Sequence, residues 1–277
     1  MLHATLCLGV SPSFERTTEE QIVLFQAAGF DAFFTAWDQN LQAYRKTADR
    51  LGMIYQSVHA PFRNAANMWK KPSEAADSIQ ELLHCVKDCA DIHVPIVVVH
   101  PYIGFDGALP TAYGTENFRK IVDAAREQNV RIAFENVEGE AHLQLLMQAF
   151  SEYDNVGFCW DAGHELCYNK GKDMLRLYGD RLIATHLNDN LGVSDAAGSI
   201  YWTDDLHLLP FDGIRNWAAA ANRLNEVGYN GILTFELTRQ SKPNRHDNDK
   251  YARMPIEEYI AECYARACRV AHLKTCQ

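Results

Sequence analysis

The chain has 277 residues, 47% hydrophobic and 22% charged, which supplies apolar material for a large core and excludes intrinsic disorder. Its formal charge of −10 speaks against a protein whose main task is gripping nucleic acid, because phosphate contacts need clustered Lys and Arg. No stretch approaches about 18 unbroken apolar residues, so no membrane span is expected.

Residues 1–10 have no basic leader and their apolar run is interrupted by His3 and Gly9, so they read as a first strand of a cytoplasmic protein and not as a signal peptide. Thr17 with Glu20 makes a capping box for a first helix, and Gly29 stands where it should stop. Apolar runs then recur at 32–35, 54–59, 96–100, 131–135, 156–161, 182–187 and 232–236, making eight with the first at 2–8. Between them lie amphipathic stretches, with Gly52 and Gly228 as further helix stops and Pro255 suited to the first turn of a last helix. Segments such as IVVV and GILTF are apolar nearly throughout, as parallel strands buried on both faces should be. The expected fold is α/β, a single (β/α)₈ TIM barrel over residues 1–277, with its active site at the C-terminal ends of the strands.

The eight cysteines include no CxxC pair, so they read as reduced packing thiols and not as a disulfide frame. Cys85 and Cys89, on one face of a helix, read as small buried hydrophobes.

Six of the apolar runs finish in a metal-capable side chain: His59 in SVH, His100 in VVVH, Glu135 in AFE, Asp161 in CWD, His186 in ATH and Glu236 in TFE. In a closed barrel these ends converge on one mouth, so residues distant in sequence meet. Three more candidates lie close by: His164, three residues after Asp161, and Asp205 with His207 after the seventh run. Mixed imidazole and carboxylate donors suit a divalent ion such as zinc or manganese, and bridging carboxylates are how close metal clusters are assembled. Trp37, Phe62, Trp69, Tyr201 and Trp202 follow strand ends and could wall a small-molecule pocket. Residues 239–253 form a long polar loop where this fold often binds phosphate, offering Arg239, Lys242, Arg245 and Lys250 to an anionic group or to solvent.

The stretches VHAPF (from Val58), VVVHP (from Val97), FENVEG (from Phe134), WDAGH (from Trp160), THLNDN (from Thr185), DLHLLPFDG (from Asp205) and TFEL (from Thr234) together resemble the xylose isomerase-like barrel superfamily. That superfamily contains sugar isomerases and epimerases, inosose dehydratases and endonuclease IV. The endonuclease branch implies three ions, on His59, His100 and bridging Glu135, on Asp161, His186 and Glu236, and on His164, Asp205 and His207. The epimerase branch implies one ion, held by Glu135, Asp161, His186 and Glu236. Two positions depart from the epimerases: Gly192 stands in place of an Arg and Ala141 in place of an acidic residue, so substrate recognition must differ.

The expected function is a metal-dependent isomerase or epimerase of a sugar or sugar phosphate, moving a proton through a metal-stabilised enediolate. Glu135 and Glu236 would carry the proton and His164 would polarise a substrate oxygen, with His59, His100, Phe62, Trp69 and Trp202 lining the substrate. The cofactor would be one to three ions of manganese, zinc or magnesium. The partner would be a carbohydrate, with no nucleic acid and no membrane and with a homo-oligomer left open. The alternatives are a phosphodiesterase of the endonuclease IV type, or a lyase or dehydratase acting on an oxidised sugar or inosose.

Overall fold

The computed structural model describes residues 4–275, so residues 2 and 3 of the first run lie outside the described residues. Eight strands form: β1 (Leu6–Gly9), β2 (Ala32–Ala36), β3 (Ile54–His59), β4 (Ile96–Val99), β5 (Arg131–Glu135), β6 (Val156–Asp161), β7 (Leu182–His186) and β8 (Leu233–Phe235). Each lies on one of the apolar runs. The helices are α1 (Thr18–Ala28), α2 (Leu41–Leu51), α3 (Pro72–Asp91), α4 (Ala112–Glu127) and α5 (Glu140–Ala149). They continue with α6 (Ala162–Cys167), α7 (Met174–Tyr178), α8 (Trp217–Glu226), α9 (Asp249–Ala252) and α10 (Ile256–Thr275). The expected capping box on α1 is present, and Gly29 and Gly52 close α1 and α2 in the left-handed conformation that glycine adopts without a Cβ penalty.

The strands are hydrogen-bonded in the order β7-β6-β5-β4-β3-β2-β1-β8, with every pair parallel. A parallel bridge between Leu187 and Phe235 joins the two ends. There Leu187 N–H donates to the Thr234 carbonyl at 2.7 Å and Glu236 N–H to the Leu187 carbonyl at 3.3 Å. The sheet therefore closes into a barrel, with this short seam as its last contact.

Strand alternation sorts the side chains into two environments. Val97, Val99, Ile132, Phe134, Phe158 and Trp160 join the large core between the strands and the helices. Ile96, Val98, Ala133, Cys159 and Ala184 pack on one another in a separate cluster, the barrel lumen. Two residues beyond Val98, Ala133, Cys159 and Ala184 stand His100, Glu135, Asp161 and His186, so these continue the lumen-facing rows upward into the mouth. Phe34 forms part of their floor, its ring stacked on His186 at 4.9 Å. Gly9 permits that placement, since a Cβ there would collide with the Phe34 ring.

Near the first turn of α5, His142 is buried between Tyr102, stacked at 4.0 Å, and the edge of Trp69 at 4.5 Å. Neither of its ring nitrogens has a hydrogen-bond partner. Burial pushes its pKa down from 6.5 to about 4, so on acidification the unfolded chain takes up this proton first. Stability from the neutral ring is complete above the unfolded value and drains away as the pH falls through it toward the folded one, by up to about 3 kcal/mol. Urea melts at pH 7.5 and 4.5 should show wild type losing more stability than His142→Phe by about that amount. Equal losses would remove His142 from the acid response.

Candidate metal centre

All nine donors meet at the mouth. His59, Glu135, Asp161 and His186 end β3, β5, β6 and β7, while His100 and Glu236 stand one residue beyond β4 and β8. His164 arrives on α6, whose N-terminus is capped by Asp161: the carboxylate accepts the His164 backbone N–H at 2.6 Å. Asp205 and His207 arrive on the loop after β7. That loop folds back so that Asp189 and Leu208 exchange backbone hydrogen bonds of 2.8 and 3.0 Å.

Glu135 is central, and its two oxygens face different neighbours. Oε2 lies 3.3 Å from His59 Nε2 and 3.2 Å from His100 Nε2, and those two nitrogens are 3.2 Å apart. Oε1 lies 2.9 Å from His186 Nδ1 and 3.6 Å from His164 Nδ1. His186 Nδ1 is also 3.1 Å from Glu236 Oε2. On the third side, Asp205 sits 2.8 Å from His207 Nε2 and 3.5 Å from His164 Nε2. Three sets of donors thus assemble, each within 4.8 Å: His59, His100 and Glu135; Glu135, Asp161, His186 and Glu236; and His164, Asp205 and His207.

The donors fit a divalent ion on three grounds. Tetrahedral bonds of about 2.0–2.1 Å place ligand atoms about 3.3–3.4 Å apart, close to the triangle of His59, His100 and Glu135. Glu135 Oε2, His186 Nε2 and Asp205 Oδ1 are buried without a hydrogen bond, which is costly unless something else satisfies them. Finally, His59, His164 and His207 each direct Nδ1 at a backbone carbonyl, of Ala60 (2.8 Å), Asn136 (3.0 Å) and Glu236 (3.2 Å) respectively. A carbonyl only accepts, so Nδ1 carries the proton and Nε2 is turned toward the mouth, the usual orientation of a metal-ligating imidazole.

Four carboxylates gathered in one buried site demand positive charge. Burial would raise the Glu236 carboxyl, but His186 and His207 outweigh it and hold the group down to about 2. Burial would lower His207, but Asp205 and Glu236 lift it to about 9. Burial dominates at Asp161 and lifts it to about 6. Without a metal, protons on His164, His186 and His207, each lifted by the carboxylates against the opposing effect of burial, supply the charge that the carboxylates require.

The surrounding polar residues brace these donors. Asn188 donates to Asp161 Oδ2 at 2.9 Å, and Asn136 exchanges hydrogen bonds with the Asp161 backbone. A Cβ on Gly163 would collide with the Asn188 amide, so glycine is needed for this close approach. Asp189 accepts from Phe211 N–H, Arg215 N–H and Trp217 Nε1, tying down the loop that carries Asp205 and His207. His207 is held in left-handed backbone (φ 47°), a strained conformation that persists where surrounding structure imposes it. Within FENVEG and THLNDN these asparagines and Asp189 adjoin the donors, but their bracing role depends on contacts across strands. Cys159 also lies beside Glu135 and His186 as a further candidate donor; in the metal-free protein burial drives its thiol well above the usual value.

Above the donors lies a cavity of about 270 Å³ lined by His59, His100, His164, Asp205, His207 and Glu236, with Phe62, Phe105, Tyr168 and Trp202 as apolar walls. Phe62 stacks on His100 at 4.7 Å. Trp69 lies outside this cleft: it is buried against His142 and Phe118 in the helix-side core, its Nε1 donating to the Pro101 carbonyl. Trp37 binds Asp88 on α3 through Nε1 at 2.9 Å, and Tyr201 is exposed beside the cleft's Trp202. The loop at 239–253 is more ordered than its polarity suggests. It contains α9, Arg239 donates to the Ala252 carbonyl, Arg245 pairs with Asp247 and Lys250 with Asp212, leaving Lys242 beside the cleft, 3.5 Å from Asp205. Cys85 and Cys89 are fully buried in α3.

Residues 22–259 match the family described as xylose isomerase-like TIM barrel. The uncharacterized protein y4fM of Sinorhizobium fredii is 32% identical over 220 residues, covering 72% of this chain and 65% of the relative. The chain spans less than two thirds of the length of the curated relatives it matches. Among solved structures, the IolI protein with a bound zinc atom superposes with a TM-score of 0.77 at 16% identity, covering 99% of this chain and 100% of that one. D-psicose 3-epimerase with D-tagatose, from Clostridium cellulolyticum H10, superposes at 0.74 with 15% identity, covering 97% and 99%.

Proposed function

Because the chain belongs to the xylose isomerase-like TIM barrel family, we propose that it is a metal-dependent isomerase or epimerase of a sugar or sugar phosphate, working by proton transfer beside a carbonyl. The observation that carries this reading is the pair Glu135 and Glu236, which meet the same His186 nitrogen at 2.9 and 3.1 Å and, with Asp161, form a four-donor group beneath the cavity. A divalent ion on Glu135, Asp161, His186 and Glu236 would supply positive charge to an enediolate.

The chain's own residues do the rest. Burial would raise both glutamates, but neighbouring imidazoles outweigh it and hold them well below the ordinary carboxyl range, so at neutral pH each is a carboxylate, the form that can accept a proton. Burial would lower His164, but Asp161 and Asp205 lift it well above the ordinary imidazole value. With Nδ1 fixed on Asn136, a second proton therefore stands on Nε2 at the cavity, where it can be donated to a substrate oxygen. Phe62 and Trp202 offer apolar faces to sugar C–H groups. Two structural neighbours, D-psicose 3-epimerase with D-tagatose and an L-ribulose 3-epimerase, bear names that agree with such a substrate.

A metal-dependent phosphodiesterase is the second reading, favoured by one observation: three donor sets assemble where the isomerase chemistry requires one. The charge of −10 opposes it. In D₂O, the metal-loaded enzyme should exchange the carbon-bound proton next to the carbonyl of candidate ketoses, and Glu236→Gln should lower the exchange by about 10²–10⁴-fold. No exchange across the ketoses, together with catalytic nicking of duplex DNA at an abasic site, would replace the first reading by the second.

A further inference from the structure

The cavity over the donors is not an isolated cup. It shares Phe105 and Glu138 with a second cavity of about 380 Å³, bounded by the loop before α4, the start of α5 and the loop around Gly198. Phe105 and Leu109 project from that wall with 46% and 78% of their surface exposed, apolar area of the kind that marks a ligand groove when it rims a binding site. At the junction, Glu138 uses one oxygen to accept the Gly104 N–H at 2.9 Å, which fixes the carboxylate between the two spaces as an acceptor for hydroxyl groups. In the second cavity Glu140 pairs with Lys172, while Lys170, which donates to the Gly198 carbonyl at 2.9 Å, and Glu138 carry opposite charges that offset each other. Its walls therefore suit a neutral unit with both hydroxyl groups and an apolar face.

Resting on the isomerase reading, we propose that the substrate is a neutral substituted sugar, a disaccharide or glycoside, whose reacting ring sits over the donors while its second unit lies against Phe105, Leu109 and Glu138. A free monosaccharide would leave the larger cavity unused.

The test uses the metal-loaded protein with D-fructose and lactulose as matched probes, read by calorimetry and saturation-transfer NMR. Lactulose should bind at least about tenfold more tightly than fructose, corresponding to about 1.4 kcal/mol of added contact. Ala108→Trp, which fills the second cavity from an exposed loop, and Leu109→Ala should each weaken lactulose and leave fructose within about twofold. NMR saturation should reach the galactosyl protons in wild type and decline in the variants. Equal binding of both sugars, unchanged by either substitution, would overturn the extended site and leave the isomerase reading standing. Failure of both sugars to bind would also overturn the extended site, while the isomerase reading falls only on its own proton-exchange test.

Discussion

Glu135→Gln should release bound metal and lower activity by about 10³-fold or more while leaving the barrel folded. Glu135 belongs to two of the three sets that combine imidazole and carboxylate donors without a thiol, and it joins them through separate oxygens. An amide of the same shape presents one oxygen and one NH₂ group, so it can serve one set and must turn hydrogen toward the other. Packing around the side chain is preserved because Gln keeps its volume, and one buried negative charge disappears from a site crowded with four. The loss should therefore fall on metal content and turnover, not on circular dichroism. Asp205→Asn is the informative contrast: it touches only the set with His164 and His207, so metal should fall by less. Elemental analysis beside proton exchange reads both variants; a Glu135→Gln protein with undiminished metal would remove the bridging role.

Much of this site was legible because the barrel converts strand position into spatial position. A His, Asp or Glu closing an apolar run lies at the mouth whatever its distance in sequence, and the two-residue period that places Ala133 and Cys159 in the lumen also brings Glu135 and Asp161 there. The stops at Gly29 and Gly52 were equally readable, as local backbone requirements. What did not transfer was side-chain direction beyond the strands. Trp69 follows a strand end like Phe62, yet it turns into the helix-side core, where Gly114 leaves room that a Cβ would occupy. The cations at 239–253 looked interchangeable, but Arg245 and Lys250 find acidic partners and Arg239 a backbone carbonyl. Such choices depend on which loop lies opposite, which a single sequence does not encode locally.

Chelation should lower the thermal midpoint by about 10 °C, reversibly, and the loss should widen as the pH rises from about 6.5 to 9. A ligand present at a thousand times its dissociation constant stabilises by about 4 kcal/mol, and each kcal/mol moves the midpoint of a chain this size by about 2–4 °C. The pH dependence follows from what replaces the metal. In the metal-free protein the buried carboxylates are balanced by protonated imidazoles, and His207 is lifted from 6.5 to about 9 by Asp205 and Glu236 against the opposing effect of burial. A raised folded pKa gives stability that is complete below the unfolded value and is lost as the pH climbs through the folded one, here up to about 3 kcal/mol. The metal-loaded protein behaves oppositely, since its ligands must be deprotonated and affinity rises with pH. Thermal scans across pH 6.5–9.5, with and without chelator, should therefore diverge steadily. A chelator that leaves the midpoint unmoved at every pH would mean that protons alone balance this cluster, and the metal-dependent mechanism would fall with it.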